Sequence, residues 1–94
     1  MKHIHPEVVH NAERQRFEAI VEGMLCRSDY RLSGGAMMLV HTEVPPSLQG
    51  RGIAAVLVRA TLDYARERGY KVIPACSYVR TYMRRHPDTA PLLA

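Results

Sequence analysis

Val44-Pro45-Pro46-Ser47-Leu48-Gln49-Gly50-Arg51-Gly52-Ile53-Ala54-Ala55 joins two prolines and two closely spaced glycines at the middle of the chain. An apolar run, Met37 to Val44, enters it as a strand, and the longest helical pattern of the chain leaves it. A strand, a glycine-rich turn and a helix in that order place several backbone N–H groups at a helix N-terminus. The first four of these have no partner inside the helix, and the macrodipole adds about half a positive charge there. The stretch is therefore expected to cradle a phosphate or pyrophosphate.

Downstream of the turn, Ile53, Val56, Leu57, Ala60, Tyr64 and Ala65 recur at intervals of three and four, which predicts a helix over 51–68. Gly69 stands where a left-handed C-terminal residue is expected. The next apolar run, 70–77, predicts a short strand. As the second strand of a strand–helix–strand unit, it should lie parallel to 37–44 by a right-handed crossover. Pro74 lacks a ladder donor, so an edge position or a bulge is expected there. Tyr78 to Arg85 reads as a short final helix ended by His86-Pro87, with Leu92 and Leu93 in the tail free to dock.

Upstream of the turn, residues 36–44 are nearly all apolar until His41, the profile of a central strand buried on both faces, with Met37 and Met38 as core filler. Phe17, Ala19 and Val21 alternate with Arg16, Glu18 and Ile20, which is a strand pattern. A second strand is expected over 24–32, a short one over 7–10, and turns at Asn11-Ala12-Glu13, Glu22-Gly23 and Ser33-Gly34-Gly35. The expected fold class is thus α/β (α+β): an antiparallel meander, a helix, a parallel strand and a short C-terminal helix.

Composition bounds the function. Ninety-four residues suit one domain, 1–94, with residues 1–6 expected to fray. Apolar residues are 47% and charged residues 23%, which argues against wholesale disorder. The formal net charge of +4 favours an anionic partner without choosing among cofactor, nucleic acid and protein. The basic residues are scattered and only six are aromatic, so nucleic acid is not the expected partner. No apolar run reaches the ~20 residues of a spanning helix, and Met1 to Glu7 has no apolar signal core. The expected location is the cytoplasm, with Cys26 and Cys76 as free thiols. His3 and His5 share a strand face, but no further ligand stands at zinc-like spacing, so no metal is expected.

Three phosphate-binding turns compete for Gln49 to Ala55. The G-x-x-x-x-G-K-[ST] loop is excluded, because no lysine follows Gly52. Gly50-Arg51-Gly52-Ile53-Ala54-Ala55 matches the dinucleotide fingerprint, but 72–77 supplies no acid for a ribose and the chain has no second half. The remaining pattern is [QR]-x-x-G-x-[GA], the pyrophosphate turn of acetyl-CoA enzymes, which Gln49-Gly50-Arg51-Gly52-Ile53-Ala54 fits.

With that turn, His41-Thr42-Glu43-Val44-Pro45 and Ile73-Pro74-Ala75-Cys76-Ser77-Tyr78-Val79 resemble the small, single-domain branch of the GNAT superfamily of N-acetyltransferases, over about residues 8–93. The resemblance implies acetyl-CoA (coenzyme A) as co-substrate, with its pantetheine in a splay between two parallel strands. It implies transfer of acetyl to an amine, on a small molecule or a protein. The helices and hairpin that wall off the acceptor in larger members are missing. The alternative is a module that binds CoA or acyl-CoA with little or no catalysis. Cofactor contacts are expected from Val44, Gln49, Gly50, Arg51, Gly52, Ile53, Ala54, Tyr78 and Arg85, with Arg84 a further basic residue beside Arg85. Larger members carry an Asn after the last core strand, where Ser77-Tyr78 stands here, and a Tyr acting as acid. Tyr82, off register from it, is the candidate acid.

Acetyl transfer needs a neutral amine, a donor to the thioester oxygen and an acid for the leaving thiolate. Backbone N–H groups near the end of 37–44 are candidates for the donor. His41 and Glu43, two apart on one strand, are candidates to take the amine proton. Cys76, closing the second core strand, is a candidate acyl-accepting nucleophile, with His41 or the helix that follows it placed to activate it. Cys26 has no such surroundings and reads as packing.

Overall fold

The computed structural model describes residues 5–94; His3, half of the His3/His5 pair, lies outside them. Four antiparallel strands open the fold: β1 (Val9–Asn11), β2 (Arg16–Val21), β3 (Met24–Ser33) and β4 (Ala36–Glu43). The chain then makes a 3-10 turn (Pro46–Leu48), helix α1 (Ile53–Arg68), strand β5 (Lys71–Pro74), helix α2 (Ser77–Arg85) and a second 3-10 turn (Pro87–Leu92). The five strands form one sheet in sequence order, with β5 parallel to β4, as the crossover rule requires.

Local chemistry sets the boundaries. Gln15 has φ +53 and its N–H bonds back to the Ala12 carbonyl, so β2 starts at Arg16. The β3–β4 hairpin turns at Gly34 and Gly35, both at positive φ, as a two-residue hairpin loop demands. Strand β5 is shorter than 70–77: Pro74 has no N–H to give, the Ala75 N–H turns back to the Ile73 carbonyl, and the chain passes into α2. Helix α1 starts at Ile53 rather than Arg51, because Gly50 and Gly52 both sit at φ +83, a conformation no helix tolerates.

Both helices pack on one face of the sheet. The inner residues Phe17, Tyr30, Met37, Leu39 and Val72 meet Val58, Leu62 and Ala65 of α1 and Val79, Tyr82 and Met83 of α2. A second cluster joins Ala19, Val21, Cys26 and Leu48 to Ile53 and Leu57. The other sheet face is open: Ile20 is 65% exposed, Met38 37% and Ile73 36%. Strand β4 is therefore buried on one face only, and Met38, unlike Met37, is not core filler. The buried stripe of α1 also runs differently from the expected one, through Val58, Thr61 and Leu62 rather than Val56, Ala60 and Tyr64. Of the tail leucines, Leu92 docks its side chain; Leu93 leaves its side chain exposed while its backbone pairs with Val72 along the outer edge of β5.

One irregularity governs the site. Tyr30 pairs with Leu39 but Asp29 pairs with His41, so Val40 is an extra residue and β4 carries a bulge. Before the bulge Met37 and Leu39 face the helices; after it, the phase is reversed. Thr42 faces inward opposite Ser28, and His41 and Glu43 face the open side opposite Asp29 and Arg27.

Candidate active site

The turn read first in the sequence forms one wall of a cavity of about 420 Å³, within the usual range for a small-molecule site. Gln49, Gly50, Gly52, Ile53 and Ala54 line one side, Thr42, Val44 and Leu48 another, and Tyr78 closes it. The Gln49 side-chain amide donates to the Val44 carbonyl at 3.0 Å, pinning the turn to the end of β4. Helix α1 has no side-chain cap and no acidic residue in its first turn. Its orphan N–H groups, on residues that line the cavity, are therefore available to an anion.

Opposite the turn, β4 and β5 part. Their pairing runs from Ala36/Lys71 to Leu39/Pro74, and its last link is the Cys76 N–H to the Leu39 carbonyl at 3.0 Å. Beyond it, β4 continues to Glu43 while the other chain turns into α2, so the β5-side edge of β4 is open next to the cavity. Cys76 is the N-terminal flanking residue of α2, and its thiol lies 3.7 Å from the Thr42 hydroxyl at the cavity wall. Both cysteines are free; Cys26 is fully buried, and burial pushes its thiol pKa up.

The expected residues separate into groups. Val44, Gln49, Gly50, Gly52, Ile53, Ala54 and Tyr78 meet at the cavity, with Cys76 at its edge. Partial burial, and next the neighbouring Tyr82, raise the pKa of Tyr78, so its phenol stays protonated at neutral pH. His41 and Glu43 lie on the open face, joined at 3.0 Å, with the Arg27 guanidinium 3.3 Å from Glu43. The His41 hydrogen bond, and next the Arg27 charge, lower the Glu43 pKa. Glu43 is thus a weak base that orients His41.

Like His41 and Glu43, three further residues are not brought to the cavity. Arg51 turns away to the β2–β3 hairpin, where it donates to Glu22 at 2.5 Å. Arg85 is exposed at the end of α2. Tyr82, the expected acid, is buried against α1. Its hydroxyl accepts a hydrogen bond from Arg59 Nε at 2.8 Å, Arg59 pairs with Asp88 at 2.7 Å, and its ring stacks on His86. Tyr82 thus belongs to a staple between α1, α2 and the tail. Two lining residues, Thr42 and Leu48, were not singled out from the sequence. Thr42 lay hidden because strict alternation from Met37 and Leu39 points it outward, and a single bulge is not legible in the residues. Among the described residues no group of three or more His, Cys, Asp or Glu can hold a metal ion. Among them, too, no helix is long and apolar enough to cross a membrane.

Comparison with known proteins places this arrangement. A family model described as GCN5-related N-acetyl-transferase matches residues 16–92. Protein NATD1 of Gallus gallus is 34% identical over 84 residues, covering 86% of this chain and 76% of its own. Protein NATD1 of Homo sapiens is 35% identical over 83 residues, covering 85% and 74%. A GCN5-like protein of Staphylococcus aureus, solved by NMR in solution, superposes with a TM-score of 0.76 at 22% identity, over 96% of this chain and 89% of that one, which establishes likeness of fold.

Proposed function

This chain belongs to the GCN5-related N-acetyltransferase family, and on that premise we propose that it binds acetyl-CoA in the cavity between the glycine turn and α2 and transfers the acetyl group to an amine. One observation carries the reading: the uncapped start of α1 lines a single cavity and the Cys76 thiol lies at its edge, 3.7 Å from the hydroxyl of the lining residue Thr42. The pyrophosphate fits the first and the thioester the second, with pantetheine along the open edge of β4.

Cys76 is the candidate acyl carrier. In the first half-reaction its thiolate attacks the thioester carbon. A Cys76 S–C bond forms, the C–S bond to CoA breaks and CoA leaves as a thiolate; the proton given up by Cys76 passes to water, and CoA takes one from water. Tyr78, protonated at the cavity, can donate a hydrogen bond to the departing sulfur. Backbone N–H groups at the Val40 bulge are candidates for holding the oxyanion. In the second half-reaction the amine approaches from the open sheet face, opposite the one on which α1 and α2 pack. An N–C bond forms, the Cys76 S–C bond breaks, and His41, oriented by Glu43, takes the amine proton. The acceptor is an amine on a small molecule or a protein.

The reading is tested with labelled acetyl-CoA and intact mass. One acetyl group on Cys76, discharged by amines, supports it. No adduct under any condition, together with unchanged turnover in Cys76→Ala, removes the acyl-cysteine route. A second reading, a CoA-binding module with little or no catalysis, is favoured by one observation: His41 and Glu43 lie on the opposite sheet face from the cavity. Saturable CoA binding without acetylation of a broad amine and peptide panel would select it.

A further inference from the structure

We propose that Thr42 positions the Cys76 thiol for acyl transfer through a hydroxyl–sulfur hydrogen bond across the gap between β4 and β5; this rests on the acyl-cysteine route above. The contact joins two elements 34 residues apart in the chain, with Cys76 Sγ donating to Thr42 Oγ1 at 3.7 Å, a distance suited to sulfur. It is the side-chain complement of a backbone bond, Cys76 N–H to the Leu39 carbonyl. Together they fix both where Cys76 sits and where its sulfur points.

The surroundings leave the Thr42 hydroxyl to this task. Its cross-strand neighbour Ser28 is fully buried and hydrogen-bonded to Thr61, whose hydroxyl is held by the Leu57 carbonyl at 2.8 Å. Among the described residues the hydrogen-bond partner of the Thr42 hydroxyl is Cys76. Thr42 faces inward only because the Val40 bulge reverses the phase of β4. Valine would suit a half-buried strand position as well by shape and strand preference, so the hydroxyl is the distinguishing feature. A hydroxyl has one donor and two acceptor sites. It accepts from the thiol, and after deprotonation it donates to the thiolate, so the same contact holds sulfur in both states.

Alkylation of Cys76 by iodoacetamide at neutral pH, followed by peptide mass mapping, tests this without an acceptor. Buried Cys26 serves as the unreactive internal reference. Thr42→Val keeps the shape and is expected to slow alkylation about tenfold, the scale of a lost hydrogen bond to a charged group. Thr42→Ala should slow it equally, and Thr42→Ser should restore it to within about twofold. Wild-type rates in Thr42→Val, or Thr42→Ser slowed as much as Thr42→Val, overturn the proposal. Failure of the acyl-cysteine route shows separately, as wild-type protein whose Cys76 reacts with iodoacetamide but never with acetyl-CoA.

Discussion

Arg51, at the centre of the glycine turn, is bound by Glu22, at the tip of the β2–β3 hairpin, with Nη1 2.5 Å from the carboxylate. Its other terminal nitrogen leans on the Ser47 carbonyl. The most obvious cation of the turn is therefore already paired and aimed away from the cavity, so under the proposed function it is backbone N–H groups that meet the phosphates. Arg51→Ala is expected to change CoA affinity by less than about threefold and stability by less than about 1 kcal/mol, the scale of an exposed ion pair. Isothermal titration and a urea melt check both; a tenfold loss of affinity would put Arg51 on the phosphates.

Gly50 lies at φ +83, and a side chain there would meet open space. Any cost of substitution is conformational rather than steric. Gly50→Ala should destabilise by about 1–2 kcal/mol, the cost of the left-handed region for an ordinary residue, and should weaken CoA binding by distorting the turn. Gly50→Asn should lose less, because Asn tolerates that region. Equal melting of Gly50→Ala and wild type would show that the turn relaxes freely.

Tyr82 is placed as a strut, its hydroxyl on Arg59 and its ring on His86. Removing its hydroxyl in Tyr82→Phe takes an acceptor from Arg59 and should cost about 0.5–1.5 kcal/mol. The rate of acetyl loading from acetyl-CoA should stay within about twofold of wild type. A large loss of loading in a protein that melts normally would return Tyr82 to the chemistry.

His10 links stability to pH. Its Nε2 is hydrogen-bonded with the buried Tyr30 hydroxyl and its ring stacks on Phe17. Burial first, and the Arg68 charge second, lower its pKa below 6.5. The unfolded chain therefore binds a proton at His10 more readily than the folded one. This stability is complete above pH 6.5 and is lost as pH falls from there through the lower folded value. Glu18 and Glu43, also lowered, act in a separate window, below their ordinary 4.5. The melting temperature of wild type should fall between pH 7 and 5, and that of His10→Ala should be flatter over the same interval. Parallel curves would remove His10 as the cause.

Much of the fold is legible in residues whose physics is local. Phe17/Ala19/Val21 against Arg16/Glu18/Ile20 announces β2, and the double-glycine loop announces the β3–β4 hairpin. Gly50 and Gly52 ahead of an amphipathic run announce the turn that opens α1. What is not legible depends on what covers a surface. Met38 is as apolar as Met37, yet only one sheet face receives helices, so it is left outside. Tyr82 reads as a candidate acid, and its pairing with Arg59, which Asp88 folds back from the tail to hold, is not visible in the residues. The largest miss is a backbone event: one extra residue at Val40 reverses the faces after it, bringing Thr42 to the cavity and sending His41 and Glu43 to the open side. The turn that lines the cavity has its own sequence pattern and is legible in the residues; the faces taken by Thr42, His41 and Glu43, set by register between distant strands, are not.

The central claim is that the uncapped start of α1 holds the pyrophosphate of CoA. Titration of isotopically labelled protein with CoA, followed by amide proton–nitrogen NMR, tests it most directly. Saturable shifts are expected, concentrated at Gly50, Gly52, Ile53 and Ala54 and extending to Thr42 and Tyr78, with NAD and ATP leaving these amides in place. Unmoved turn amides at saturating CoA, or the same shifts produced by NAD or ATP alone, would contradict it.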